Sequence, residues 1–187
     1  MMIIEVWEDL RSEFPELNDV PELQINSRVS CTYGAAIALE TMPLDFVTEA
    51  LMIEQGLHIH EDWKSILDRM LDGSVESLIG IVKGVIPNPD NNDLLRFALL
   101  HEAGHWFDYK ASGLDAVAYL TLMNNAHMET LINAESLTFM TGRDSWPEKP
   151  ADDYAISKLR QYHSKRVTGM STYIKHVFNK LVSCLIK

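Results

Sequence analysis

The chain has 187 residues and a formal net charge of −11 at pH 7, and this length favours a single domain. A content of 47% hydrophobic and 23% charged residues excludes a disordered, collagen-like or low-complexity chain. The charge is uneven, because residues 154–187 contain no acid and seven basic side chains: Lys158, Arg160, Lys165, Arg166, Lys175, Lys180 and Lys187. Nucleic-acid binding is therefore not expected of the acidic body. For the basic tail, a phosphate backbone and an acidic partner remain open, although such tails commonly dock on their own acidic body.

The sequence predicts neither a membrane span nor a secretory signal. Its apolar runs are much shorter than the roughly 20 residues that a transmembrane helix needs. The first ten residues, MMIIEVWEDL, carry acids where a signal peptide has a basic region. We therefore expect a cytoplasmic protein without membrane association.

The first half of the chain is predicted to contain short helices and a small sheet. Residues 2–13 form a helix that ends before Pro15. Apolar and polar residues alternate in the next segment, which predicts a few strands at about residues 22–40, with a bend or hairpin turn at Gly34. Further helices are predicted over residues 45–55, 61–71 and 74–83.

The second half is predicted to be helical. A long helix starts near Asp93, runs to about Lys110 and is apolar on most of its faces, which indicates burial. A second helix covers about 115–140, and residues 142–150 are interpreted as a surface loop. Two helices, over residues 152–166 and 170–186, complete the chain.

These elements predict an α+β fold that is mostly helical, with the small sheet packed on the long buried helix. The predicted domain covers residues 1–150, and residues 151–187 form a basic helical tail packed on the same domain.

The motif with the clearest chemistry is His101-Glu102-Ala103-Gly104-His105, an HExxH sequence on the long helix. Histidines four residues apart share one helix face, so both imidazoles can bind a single zinc ion. Glu102 lies beside them, where it can hold and deprotonate a zinc-bound water. The alternative is a pair of core histidines bonded to backbone carbonyls, but a buried helix has little reason to hold these three polar side chains without a common partner.

A zinc site of this kind requires a third protein ligand. On the predicted helix over 115–140, Glu135 lies in the middle of an apolar face, where a carboxylate is costly unless a positive group meets it. Glu135 is therefore the preferred third ligand, and an ion pair with Arg143 or Lys110 is its alternative role. The other candidate ligands are His127, Glu129, Asp108 and Asp115.

Further side chains are candidates for supporting roles. Asp108 lies three residues after His105, where it can accept a hydrogen bond from a ligand histidine. A donor for a developing oxyanion is also needed. The candidates are His127, Tyr109, Tyr119 and His163. His58 and His60 are interpreted as surface or structural residues.

HEAGH followed by a glutamate on a later helix resembles the gluzincin branch of the zincin metallopeptidases. The segment NAESLTF around Glu135 loosely resembles the acidic-Ala-x-x-Phe segment of ImmA/IrrE-like peptidases, but aligning Phe139 with that family's phenylalanine puts Asn133 at the zinc glutamate. INSRVSCTYGAAIAL faintly resembles the strands of SprT-like proteins, in which the third ligand is a histidine. The metzincin pattern is absent, because Asp108 and Ala111 replace its glycine and its third ligand.

The sequence thus predicts a zinc metallopeptidase with one Zn²⁺ per chain, bound by His101, His105 and Glu135, and with Glu102 as the base. Its substrate would be a protein or peptide, held in extended form at the edge of the sheet. Two alternatives remain: a non-catalytic, zinc-stabilised regulatory or interaction module, and an interaction protein that works through its acidic surface.

Overall fold

The computed structural model describes residues 2–26, 52–65, 74–135, 143, 145–146 and 148–185, with only the backbone described beyond residue 166. Most of these residues are helical. The elements in chain order are α1 (Ile3–Glu13), a 3₁₀ helix (Pro15–Asp19), β1 (Gln24–Asn26), β2 (His58–His60), α2 (Ser74–Lys83), α3 (Asn91–Ser112), α4 (Ala116–Ile132) and α5 (Glu148–Leu185).

The sheet consists of β1 and β2, which pair in parallel with Ile25 opposite Ile59. This confirms the α+β, mostly helical class with a small sheet. Strand β1 lies inside the segment predicted to hold strands, whereas the rest of that segment, including the turn at Gly34, lies outside the described residues. The partner strand was not predicted, because His58–His60 has only three residues and too little alternation to stand out from a loop.

Helix α3 is the centre of the fold. Its first turn is fixed by a reciprocal cap: Asp93 N donates to Asp90 Oδ1 over 2.9 Å, and Asp90 N donates to Asp93 Oδ2 over 3.0 Å. Gly113 ends the helix with φ at +66°, a left-handed conformation that a glycine adopts without strain. Between these ends most side chains are buried, as the sequence predicted.

One continuous hydrophobic core surrounds α3. It joins Trp7 of α1 and Ile59 of β2 to Phe97 and Leu99 of α3, and to Tyr162 of α5. A smaller cluster lies at the other end of α3, where Tyr109 packs against Tyr119 and other residues of α4. Burial of these apolar side chains is the main force that holds the helices around α3.

Two predicted boundaries were wrong. Helix α4 ends at Ile132 rather than near residue 140, and α5 begins at Glu148, inside the predicted surface loop. The prolines of that loop suggested irregular structure, but Pro150 lies in the first turn of α5, where the missing N–H has no helical partner to lose. The two helices predicted over residues 152–166 and 170–186 are one continuous helix.

Part of the basic tail pairs with acids at the start of the chain. Lys158 contacts Glu16, Lys165 contacts Glu13, and Arg166 lies 2.8 Å from Asp9. Beside these ion pairs, the ring of Tyr162 contacts two guanidinium groups. The ring centre lies 4.2 Å from the guanidinium carbon of Arg166 and 4.7 Å from that of the buried Arg96.

None of the described helices has both the length and the apolar character that crossing a membrane requires.

The close approach of α3 and α5 occurs at Gly104. A Cβ added to Gly104 would lie only 2.9 Å from Ala151 Cα, closer than real Cβ atoms come to another heavy atom, and 3.3 Å from the carbonyl oxygen of Ala151. The contact is with backbone, which cannot move aside as a side chain can. Gly104 therefore sets the distance between the two helices at the HExxH motif.

We expect Gly104→Ala to push α5 away from α3 and to lower the free energy of unfolding by about 1–3 kcal/mol, the usual cost of overpacking. The control is Gly80→Ala in α2, where the added methyl group meets nothing within 4 Å; removing a helical glycine there should stabilise the fold by about 0.5–1 kcal/mol. Urea denaturation of both variants measures the difference. A Gly104→Ala variant as stable as Gly80→Ala would contradict the close approach.

Candidate metal centre

His101 and His105 lie one helical turn apart on α3, and the Nε2 atoms of their rings face each other. Their Nε2 atoms are 3.0 Å apart and the two rings meet at nearly right angles. Both side chains are buried, with 5% and 2% of their surfaces exposed. The i, i+4 spacing thus produces the paired imidazoles that the motif predicted.

The third member of the group is Glu148, the first residue of α5. Its Oε2 lies 3.3 Å from His101 Nε2, and its Oε1 lies 3.4 Å from His105 Nε2. Zinc bonds of 2.0–2.1 Å in a tetrahedron place neighbouring ligand atoms about 3.3–3.4 Å apart. The two histidine–glutamate separations, each to a different oxygen of Glu148, match that edge length, and the two Nε2 atoms are slightly closer at 3.0 Å. The donor atoms of His101, His105 and Glu148 thus lie close enough together to hold a small divalent cation.

Asp152 orients the first histidine. Its Oδ1 is 2.9 Å from His101 Nδ1, so the neutral ring keeps its proton on Nδ1 and turns the lone pair of Nε2 towards the group. Metal-binding histidines commonly donate their second nitrogen to a carboxylate in this way. Glu148 and Asp152 are four residues apart, so both project from the same face of α5.

Glu102 is buried beside the histidines, with Oε1 3.8 Å from His101 Nε2. Within the described part of the chain, its Oε2 has no hydrogen-bond partner. A buried carboxylate oxygen without a partner is costly and points to a ligand or water that is part of the site. Burial raises the pKa of Glu102 to about 8.

Arg143 lies against the two carboxylates of α5. It donates from Nε to Asp152 Oδ2 over 3.0 Å and from Nη1 to Glu148 Oε2 over 3.3 Å, and its Nη2 also binds Asp152. In the protonation state that metal binding requires, with both histidines neutral and the carboxylates of Glu102, Glu148 and Asp152 ionised, three negative charges meet the one guanidinium of Arg143. Among the described residues this gives the group a formal charge of −2, which a divalent cation would neutralise.

The pKa values of the two histidines shift in opposite directions, because burial and the neighbouring charges act with different weight on each ring. Burial and the charge of Arg143 lower the pKa of His101, but its hydrogen bonds to Asp152 and Glu148 outweigh them and raise it to about 9. Burial lowers the pKa of His105. The neighbouring histidines, chiefly His105, hold the pKa of Glu148 well below its usual range despite its burial.

Of the predicted site residues, the structure brings His101, Glu102 and His105 together and leaves Glu135 outside their group. Glu135 is exposed and lies three residues beyond the end of α4, so the apolar helix face on which it was predicted does not extend to it. Arg143, which with Lys110 was a candidate partner for an ion pair of Glu135, binds Glu148 and Asp152.

The alternative ligands have other surroundings. Asp115 caps α4, accepting from Ala118 N over 2.8 Å, and Glu129 is exposed. His127 Nδ1 is 3.5 Å from Ser145 Oγ. Asp108 accepts a hydrogen bond from Tyr119, and no histidine of the described part of the chain donates to it. The role predicted for Asp108, orienting a ligand ring, is held by Asp152.

The candidate oxyanion donors are not all free to face a substrate. Tyr119 is fully buried, and its hydroxyl donates to Asp108 Oδ2 over 3.0 Å. His163 Nε2 lies 3.1 Å from Asp93 at the first turn of α3, away from the HExxH motif. His127 is only partly buried and contacts Ser145, three residues before Glu148.

Sequence reasoning missed Glu148, Asp152 and Arg143 because all three lay in or beside a segment interpreted as loop and tail. A signal was present: Pro147 followed by an acid is typical of a helix start. Starting the helix at Glu148 would have placed Asp152 on the same face.

Comparisons with protein-family models, with curated proteins and with solved structures found no match for this chain. The site is therefore defined by its own geometry, as a buried group of two histidines and a glutamate that can hold a metal ion.

The ligand set predicts which substitutions remove metal binding. Loss of a direct ligand through Glu148→Ala should weaken zinc binding by about 100-fold or more, since even outer partners of a metal site are worth 10–100-fold. Glu135→Ala removes an exposed carboxylate and should leave the affinity unchanged. Competition with a chromophoric chelator measures both. Loss of zinc in Glu135→Ala and retention in Glu148→Ala would reverse the assignment.

Metal binding should also release protons. Because the pKa of His101 is about 9, its ring is protonated at pH 7 and must lose a proton to become a ligand. Glu102, with a pKa of about 8, should lose a second proton beside the cation. Affinity should therefore rise between pH 6 and pH 8. Calorimetry in buffers of different ionisation enthalpy counts the protons, and Glu102→Gln should release one fewer. Binding without proton release would contradict the raised pKa values.

Proposed function

We propose that this chain is a zinc-dependent metallopeptidase with Glu102 as its general base. In this proposal His101, His105 and Glu148 hold the ion, so Glu148 takes the place that the sequence predicted for Glu135. The proposal rests chiefly on one observation, the meeting of three zinc-type donor atoms beside a buried carboxylate oxygen that has no hydrogen-bond partner among the described residues.

The donor set and its charge fit zinc. Two imidazole nitrogens and one carboxylate are the three protein ligands of many catalytic zinc sites, which keep a fourth position for water or substrate. With neutral histidines and ionised carboxylates, the state in which a metal binds, the formal charge of −2 among the described residues suits a divalent ion. Glu148 is the most exposed of the three ligands, with 20% of its side chain accessible, so access to the centre is expected from its side.

When bound, zinc would supply a Lewis acid that polarises a peptide carbonyl and lowers the pKa of a water molecule. Glu102 Oε2 is placed to accept the proton of that water, since it is the oxygen that has no other partner. The same carboxyl then passes the proton to the amine nitrogen that leaves.

Asp152 and Glu148 have different tasks in this mechanism. Asp152 keeps the proton of His101 on Nδ1, which leaves Nε2 as the ligand atom. Glu148 neutralises charge and joins α5 to the histidine pair. The substrate is proposed to be an extended peptide, as expected from the sequence, with the edge of the small sheet as its docking place.

A second function is favoured by the burial of the centre. Glu102, His101 and His105 are each at most 5% exposed, which also suits a zinc ion that holds two helices together without catalysis. Such a site has no need of a base, so Glu102 distinguishes the two functions.

The test is Glu102→Gln in the zinc-loaded protein, with a labelled casein and a mixed peptide library as substrates. Removing the base should lower turnover by about 10²–10⁴-fold while zinc content and fold stay the same, because Glu102 is not a ligand. Glu129→Gln, an exposed glutamate on α4, is the control and should cleave at the parental rate.

Equal cleavage by Glu102→Gln and the parent would overturn the proposed mechanism. A zinc-loaded parent that cleaves nothing, but unfolds when a chelator removes the metal, would establish the non-catalytic, zinc-stabilised alternative.

A further inference from the structure

Arg143 is the one charged group at the centre to which the proposed mechanism gives no task. Its side chain is 13% exposed and its guanidinium contacts both carboxylates of α5. Two nitrogens bind the two oxygens of Asp152, and the third donates to Glu148 Oε2. One planar group thereby joins the proposed ligand Glu148 to the residue that orients the ligand His101.

Arg143 reaches the group from its edge. Its Nη2 approaches His101 at Nδ1, over 3.4 Å, whereas the group formed with His105 and Glu148 lies on the Nε2 side of the same ring. On Glu148 the guanidinium and His101 Nε2 both contact Oε2, each over 3.3 Å, and Oε1 faces His105. The guanidinium therefore contacts the group through Glu148 Oε2 and the Nδ1 side of His101.

The two carboxylates need such contacts. Glu148 and Asp152 are four residues apart in the first turns of α5 and both are largely buried, so their like charges repel each other in a poorly solvated place. A guanidinium can bind one carboxylate through two parallel hydrogen bonds and still donate to a second. A lysine ammonium is a point charge and cannot fix both orientations.

We propose that Arg143 is a positioning residue of the metal centre, which fixes the Asp152 carboxylate on His101 and the Glu148 carboxylate between the two histidines. This inference rests on the proposed function, because it assigns Arg143 a role in holding the same ligands. It predicts that Arg143 affects how tightly and in what geometry a cation binds, and not only how stable the fold is.

The experiment compares Arg143→Gln and Arg143→Lys with the parent. Both variants should bind Zn²⁺ about 10–100-fold more weakly, the usual effect of removing an outer partner of a metal ligand. The probe for geometry is Co²⁺, whose visible absorption reports coordination, and both variants should change its intensity and band positions. A merely structural role would leave the spectrum of the bound ion as it is.

Arg166→Gln is the matched control. It removes another arginine–carboxylate pair of the same helix, the pair with Asp9, at a surface remote from the histidines. We expect it to lower stability slightly and to leave both zinc affinity and the cobalt spectrum unchanged.

A double-mutant cycle with Asp152→Asn tests the route of the effect. If Arg143 acts through Asp152, adding Arg143→Gln to Asp152→Asn should weaken zinc binding by clearly less than it does in the parent. Additive losses would contradict that route.

Several results would overturn the proposal. Parental affinity and an unchanged cobalt spectrum in Arg143→Lys and Arg143→Gln would leave the metal centre in place but remove Arg143 from it. Tighter binding would show that the guanidinium competes with the cation. Loss of fold in both variants, one of which retains the positive charge, would assign Arg143 to stability alone. If the parent itself binds no zinc, the proposed function fails instead.

Discussion

The structure depends on the close passage of α5 across α3 at Gly104. Because Gly104 has no side chain, the backbone of Ala151 can approach the HExxH helix more closely than any Cβ would allow. Glu148 and Asp152 lie on either side of Ala151, and each reaches a histidine from there. A wider separation of the helices would leave the same side chains in the sequence but would separate their ligand atoms. The glycine is thus as much a part of the site as the residues that carry charge.

The crossing of α5 over α3 also brings charged side chains together in a buried part of the molecule. Three carboxylates, one guanidinium and two histidines lie together where α5 meets α3, with the Phe97 ring 6.0 Å from the guanidinium. An interior of this kind favours hydrophobic contacts, and unpaired charges in it destabilise the fold. A bound cation would explain this arrangement, because its positive charge would balance the carboxylates. Burial would then strengthen the remaining electrostatic contacts. Fold and site consequently share the same interface.

The parts of the site that could be predicted are those set by local spacing. His101, Glu102 and His105 lie on one helix, and a period of 3.6 residues determines which of them meet. The third candidate ligand, Glu148, belongs to another helix. Its position depends on where that helix begins and on which of its faces packs against α3. Glu135 was preferred because a helix was extended past Ile132, and Glu148 was passed over because two nearby prolines suggested a loop. The parallel pairing of β1 with His58–His60 is likewise a long-range contact that a three-residue pattern does not specify.

The ligands come from distant parts of the chain, and this has a topological consequence. An ion held by His105 and Glu148 joins the two ends of residues 106–147 and so closes a loop that contains the whole of α4. Such a cross-link restricts the unfolded chain, and the entropy of closing a loop changes by only about 0.6 kcal/mol for each doubling of its length. Helix α4 packs on α3 through a small apolar cluster, which by itself resists local opening weakly. Metal loading would therefore protect α4 from local opening without adding a single contact to it.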